Sequence, residues 1–239
     1  MPHFFIRSKD VKDNKISIYE DYNHIAKSLR ARVGEKILLI DENQIQYETV
    51  IDEITSKSVV VNVVKSYKSN RNLGFKLYLA QSPLCSSAQN FVIEKAAELG
   101  AAGVYPVLTD NCTLKKSAAK SKTKKWRRIM YEASKQCERS VVPEVFDVCK
   151  LEDLPNCGKV IAFCERKASL TLHGFLSENP VKPKESVLVI IGPEGGFSDR
   201  EFKYFEDKGI PAVTLGNLIL KAETAVIAAL GNIIYEFNK

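Results

Sequence analysis

The chain is poor in the residues on which metal, disulfide and membrane chemistry depend. It has only three histidines, and none lies near a cysteine in a zinc-like pattern. Its six cysteines (Cys85, Cys112, Cys137, Cys149, Cys157 and Cys164) form no C-x-x-C and no paired metal spacing. They are expected to be reduced, mostly buried thiols, with no metal site. No apolar run approaches the roughly 18 residues that span a bilayer. The start, Met1 to Arg7, lacks the apolar core of a secretory signal, so cytoplasm is the expected location and no membrane partner is expected. No Gly-Lys-Ser/Thr follows the glycine-rich segment and no G-x-G-x-x-G occurs, which argues against triphosphate hydrolysis and ordinary dinucleotide binding.

One further absence is local. From Asn111 to Tyr131 there is no acidic residue. The same stretch carries Lys115, Lys116, Lys120, Lys122, Lys124, Lys125, Arg127 and Arg128 on a chain of formal net charge +6. A lysine run is usually a solvated face, but one without counter-charges suits a phosphate backbone.

Length and a 45% hydrophobic content suit one large or two modest domains. Up to about residue 70 the chain reads as short β-branched strands: 16–19, 36–40, 47–51 and 58–64, with one short helix near 23–32. Such spacing suggests a small barrel. The polar stretch 65–74 reads as a linker. Then strand and helix alternate: strand 75–80, a helix from about Ser87 to Gly100, strand 103–108, and a long helix over about 120–138. Strands at 158–164, 186–191 and 212–215 and a final helix over about 223–237 complete the reading. The continuous apolar strands predict a sheet covered on both faces. The last helix is apolar around most of its circumference, as expected of deep burial or contact with a second subunit.

Two strand-to-helix turns stand out. The first is Gly192-Pro193-Glu194-Gly195-Gly196-Phe197-Ser198, in which Ser198 and Glu201 fit a capping box. The second, Leu215-Gly216-Asn217-Leu218-Ile219-Leu220-Lys221, is apolar where a surface loop is normally polar. Glycines let backbone amides approach a ligand closely. A buried loop must satisfy its own amides or lend them to a ligand. Together the turns predict one pocket built largely from main chain, with Leu218, Ile219 and Leu220 as an apolar slot.

The runs IGPEGGFS and LGNLILKAETA resemble the signature of the RsmE family, the SPOUT-class enzymes that methylate uridine N3 in small-subunit (16S) ribosomal RNA. His24 with Leu29-Arg30-Ala31-Arg32-Val33-Gly34, the segments 94–100 and 132–139, and Val142-Pro143-Glu144 match the family in order, nearly end to end. The family usually has arginine where this chain has Leu218 and Lys221, a departure that bears on the RNA contacts of that loop. The resemblance implies a PUA-like β-barrel over 1–70 that binds RNA. It also implies an α/β domain over 74–239, with a SPOUT-type parallel sheet and a C-terminal trefoil knot, S-adenosyl-L-methionine in the knot, and a homodimer.

On that basis the cofactor is expected against Phe163, Cys164, Gly192, Pro193, Glu194, Gly195, Gly196, Leu215, Gly216, Leu218, Ile219, Leu220, Glu223, Thr224 and Ala225. Arg139 is the expected side chain beside the substrate. Glu94 and Glu132 are candidate proton acceptors, or else ion-pair partners. Arg7, Arg30 and Arg32, with Lys115, Lys116, Lys122, Lys124, Lys125 and Arg128, are expected to grip RNA phosphates. A ribose 2′-hydroxyl or another base as target, and a noncatalytic RNA-binding assembly factor, are the alternative readings.

Overall fold

Short β-branched runs, each able to bury one face, build the first unit of the chain. The computed structural model describes residues 1–69, 71–165, 167–168 and 170–237. The chain divides into two units, Met1–Asn72 with Ser134–Val141, and Leu73–Ala133 with Val142–Lys239.

In the first unit β1 (His3–Phe5), β2 (Val11–Lys12), β3 (Lys15–Ile18), β4 (Lys36–Ile40), β5 (Ile45–Ile54) and β6 (Val59–Lys68) form one sheet in the order β1-β4-β5-β6-β3-β2. β1 lies parallel to β4, and the other pairings are antiparallel. Alternate residues such as Ile37, Leu39, Val59 and Val61 meet Phe4, Ile16 and Ile25 in one apolar cluster. Register shifts at Glu48/Thr49 and Ile51/Glu53 mark bulges that bend the long β5–β6 ladder.

The helix expected over 23–32 is shorter, a π-helical turn at Asn23–Ser28 that buries Ile25. The polar stretch expected as linker begins as strand, because β5 extends far enough to pair Glu48 with Lys65 and Gln46 with Tyr67. Backbone ladders accept polar residues, and opposite charges placed directly across a pair are favourable. The segment Ser134–Val141 belongs to this unit through Lys135 Nζ, 3.1 Å from Asp21, and through Ser140, whose hydroxyl lies 2.5 Å from that of Ser69.

The second unit contains β7 (Lys76–Gln81), α1 (Ser86–Glu98), β8 (Gly103–Leu108), α2 (Lys116–Gln136), β9 (Glu144–Val145) and β10 (Cys149–Lys150). It continues with β11 (Lys159–Phe163), β12 (Leu170–Thr171), α3 (Leu172–Glu178), β13 (Ser186–Ile191), α4 (Asp199–Asp207), β14 (Ala212–Thr214) and α5 (Ala222–Phe237). All its strand pairings are parallel, in the order β10-β8-β7-β13-β11-β14-β12 with β9 also on β8.

β13 shows why its sequence is apolar throughout. Val187, Val189 and Ile191 join a cluster with Val92 of α1, Trp126 of α2 and Val226 of α5, while Leu188 and Ile190 pack with Phe205 of α4. Both faces are covered, so both sets of side chains must be apolar. The short β9, β10, β12 and α3 carry too few residues to show a period. No helix among the described residues is long and apolar enough to cross a membrane.

Candidate functional site

In a parallel sheet every strand presents its carboxyl end at one edge, and ligands collect there. β7, β13 and β11 are neighbours in this sheet. Their carboxyl ends lead into the turn at 192–198 and into Cys85, Phe163 and Cys164.

The first turn is held from several sides. Ser82 N donates to Ile191 O at 3.0 Å, and the fully buried Gln81 donates through Nε2 to Gly192 O at 3.1 Å. Gly196 N closes the turn on Pro193 O at 2.9 Å. Asn111 Nδ2 reaches Gly195 O at 3.3 Å and Gly196 O at 3.1 Å. A Cβ at Gly195 would stand 3.2 Å from the Asn111 Cβ, so that tether packs against bare backbone. Gly196 has φ +68°, in the left-handed region that favours glycine.

The expected capping box at Ser198 and Glu201 is present. Ser198 Oγ accepts from Glu201 N at 3.2 Å, and Glu201 Oε2 accepts from Ser198 N at 2.8 Å. Glu201 Oε1 also accepts from Asp110 N at 2.8 Å, which ties the loop carrying Asn111 to α4. Arg200 binds Asp110 through Nε at 2.9 Å and Nη2 at 2.8 Å, and Ser198 Oγ lies 2.5 Å from the same carboxylate.

The Arg200 guanidinium, then the Ser198 hydroxyl, hold the Asp110 carboxyl below its ordinary value. A carboxyl so depressed stabilises the fold above the ordinary aspartate range, and that stabilisation is lost as pH falls through the depressed value. The advantage of the wild-type protein over Asp110→Asn, read from urea denaturation across a pH series, should therefore shrink in acid. A gap that stayed constant down through the carboxylate range would show that the Arg200 pair contributes nothing to stability.

The turns enclose a cavity of about 810 Å³, within the size range of small-molecule sites. Phe163, Cys164, Gly192, Pro193, Glu194, Gly195, Gly196, Ile219, Leu220, Glu223 and Ala225 line it. Leu215, Gly216, Leu218 and Thr224, grouped with them on sequence, are outside that lining. Leu215 packs on the main core and Thr224 is exposed. Thr214 Oγ1 holds the backbone of Gly216, accepting from its N–H at 3.2 Å. The second turn is not the buried slot expected: Leu218 and Ile219 are 77% and 68% exposed, and of the three slot residues Leu220 alone packs on the core.

Cys85 just before α1, Ala88 within it, Glu165, Lys167, Ile191, Phe197, Asp199, Phe202, Lys221 and Ala222 also line it, and the sequence reading missed them as site residues. Cys85 lies some 110 residues from the glycine turn, and only the strand order brings the two together. Cys85 is an exposed free cysteine, whereas burial pushes the Cys164 thiol up to about 12. Cys164 is the one fully buried thiol, while Cys112, Cys137, Cys149 and Cys157 are half-buried, so the thiols are less buried than expected.

The proposed proton acceptors stand elsewhere in the second unit. Glu94 is 2.8 Å from Lys95, and Glu132 is exposed on α2; neither belongs to the lining. Arg139 belongs to the first unit, where burial holds its guanidinium below the ordinary arginine value.

Lys115, Lys116, Lys124, Lys125 and Arg128 are exposed at the start and along α2. Lys122 donates to Ser86 Oγ at 3.0 Å, and Arg127 is committed to Val145 O and Asp147. In the first unit Arg30 and Arg32 are exposed, and Arg7 lies 3.4 Å from Glu20. Among the described residues no group of three or more His, Cys, Asp or Glu side chains is placed to hold a metal.

The model of a family described as RNA methyltransferase domain matches residues 71–234, and that of an RNA methyltransferase PUA domain matches residues 20–64. Ribosomal RNA small subunit methyltransferase E of Bacillus subtilis is 28% identical, covering 91% of this chain and 88% of its own length. A Legionella pneumophila protein solved in complex with its cofactor SAM is 26% identical with a TM-score of 0.85, covering 98% of this chain and 97% of that one. The Neisseria gonorrhoeae ribosomal RNA small subunit methyltransferase E, solved with S-adenosyl methionine, shares the fold at a TM-score of 0.84 with 22% identity, over 98% of this chain and 97% of that one.

Proposed function

From the premise that this chain belongs to the RNA methyltransferase domain family, we propose that it transfers a methyl group from S-adenosylmethionine to N3 of a uridine in 16S ribosomal RNA. The observation that carries this reading is the cavity at the carboxyl edge of the parallel sheet, walled by the glycine turn and by Ile219 to Glu223 with Ala225. The named relatives support the choice of RNA and cofactor.

The lining fits that cofactor. Bare glycine backbone and the apolar Phe163, Ile219 and Leu220 suit a flat heterocycle, and the acidic residues suit the cationic groups of its amino-acid and sulfonium part. When bound, the cofactor supplies a methyl group already activated on a sulfonium. The protein's tasks are then to align the acceptor nitrogen, exclude water and receive the N3 proton. N3 is hidden in a base pair, so the target uridine must be unpaired or flipped out. Gln81 and Asn111 fix the carbonyls of the glycine turn, which leaves its remaining backbone groups aimed without reorganisation.

Arg139 is proposed to orient the substrate, on the strength of the sequence resemblance. Arg139→Lys should lower turnover about tenfold, the scale of one misplaced hydrogen bond to charge, with cofactor Kd unchanged. Equal turnover by the two forms would remove it from the reaction. The glutamates are weaker candidates, since Glu94 already has Lys95 beside it.

The RNA grip is assigned to the exposed α2 cations and to Arg7, Arg30 and Arg32. Replacing Lys124 and Lys125 together by alanine should flatten the dependence of log affinity on log salt by about 1 for each phosphate contact removed. An unchanged slope in a filter-binding titration would place the RNA elsewhere.

The resemblance also supports a PUA-like barrel over 1–70, a SPOUT domain over 74–239 tied as a trefoil knot, a homodimer and a cytoplasmic location. A crystal structure tests the barrel, the domain limits and the knot. Sedimentation tests the dimer, which the exposed Leu218, Ile219 and Tyr235 favour. Fractionation of cells tests the location.

The decisive experiment is incubation with labelled cofactor and unmodified small subunits or naked RNA, followed by nucleoside mass spectrometry. 3-Methyluridine is the expected product. A 2′-O-methylated nucleoside, or binding without transfer, would favour one of the alternatives.

A further inference from the structure

We infer that the Glu165 carboxylate receives the α-ammonium group of the bound cofactor, an assignment that rests on the S-adenosylmethionine reading above. Glu165 follows β11 by two residues, in a turn pinned on both sides. Cys164 N donates to Val213 O, and Ala168 N donates to Cys164 O, each at 2.9 Å. Glu165 lines the cavity, and its Oε1 is buried with no hydrogen-bond partner among the described residues. A buried carboxylate oxygen without a donor is costly, so proteins leave few of them unless a ligand supplies the donor.

The other acidic residues of the lining have partners or another role. Asp199 is paired with Lys167, and Glu194 accepts from Cys85 N at 3.4 Å. Glu223 sits in the first turn of α5, where its charge complements the helix dipole. Among the described residues, four acidic side chains thus face only Lys167 and Lys221 around the cavity, an excess that favours a cation. On S-adenosylmethionine the α-ammonium alone is both cationic and a hydrogen-bond donor. The ribose hydroxyls and the adenine amino group are neutral, and the sulfonium has no N–H or O–H to give.

The test is isothermal titration of the wild-type protein, Glu165→Gln and Glu165→Asp with three compounds: S-adenosylmethionine, S-adenosylhomocysteine and 5′-methylthioadenosine. Glu165→Gln should bind the first two about tenfold or more weakly, the scale of a hydrogen bond to charge. It should bind 5′-methylthioadenosine, which lacks the amino acid, as the wild type does. Glu165→Asp should restore most of the loss. The melting temperature of the unliganded Gln variant should equal or exceed that of the wild type, because the buried oxygen has no protein donor to lose. Equal weakening of 5′-methylthioadenosine would move the contact to the nucleoside, and weakening of S-adenosylmethionine alone would move it to the sulfonium. Either result, or no weakening at all, overturns the assignment. Failure of the wild type to bind any of the three would instead overturn the cofactor reading and take this assignment with it.

Discussion

Alanine at position 158 should destabilise the protein severely, whereas alanine at position 209 should cost little. Both glycines have positive φ, +53° and +64°, so both substitutions meet the same left-handed strain. That strain alone costs about 1–2 kcal/mol. The surroundings differ. A Cβ at Gly209 would have nothing within 4 Å, but one at Gly158 would stand 1.9 Å from the Ser186 carbonyl oxygen and 2.8 Å from its carbon. Those are backbone atoms and cannot rotate aside.

Ser186 opens β13, and Lys159, the next residue after Gly158, pairs with Val187. Relief of the clash therefore requires β11 and β13 to part at the start of their ladder. β13 is an interior strand, held between β7 and β11. Overpacking of this kind typically costs about 1–3 kcal/mol or more on top of the strain. Urea midpoints at constant m should place Gly209→Ala within about 1–2 kcal/mol of the wild type. Gly158→Ala should lose at least twice as much or fail to fold. Equal losses at the two positions would mean that the strands separate there without cost.

Much of the second unit was legible because its strands are covered on both faces. Burial on two sides leaves little room for polar residues, so residues 187–191 and 160–163 announce themselves as unbroken apolar runs. The capping box at Ser198 and Glu201 was equally plain, being local chemistry at a fixed spacing. What failed to show was whatever depends on a distant partner. Lys65–Lys68 is strand only because β5 runs alongside it. Ser134–Val141 sits with the first unit through pairs such as Lys135–Asp21, which no local period encodes.

The cavity follows the same division. Gly192 to Gly196 was readable from glycine content, but Cys85 and Glu165 enter from other strands and carry no signature of their own. The apolar Leu218 and Ile219 misled, since hydrophobic sequence predicts burial and both side chains are exposed. Exposed apolar residues on one side of a site are a common mark of contact with a partner.

Loss of the Glu201 carboxylate should be felt both in stability and in the cavity. Glu201 is fully buried, and its two oxygens serve backbone donors far apart in sequence, Ser198 N and Asp110 N, each at 2.8 Å. Alanine leaves both N–H groups without their acceptor. Each such loss costs about 1–3 kcal/mol, so Glu201→Ala should lose roughly 3 kcal/mol. The Asp110 loop also carries Asn111, whose amide holds the carbonyls of Gly195 and Gly196. Freed from α4, that loop can no longer fix the glycine turn. Ordering the turn must then be done at the expense of binding, and the affinity for S-adenosylhomocysteine should drop about tenfold or more. Glu201→Gln keeps the shape but turns an amide N–H₂ toward one of the two donors, so its losses should fall between those of wild type and Ala. Denaturation and calorimetric titration of the three forms read both effects. Undiminished affinity in a destabilised Glu201→Ala protein would show that the glycine turn keeps its conformation without the tether to α4.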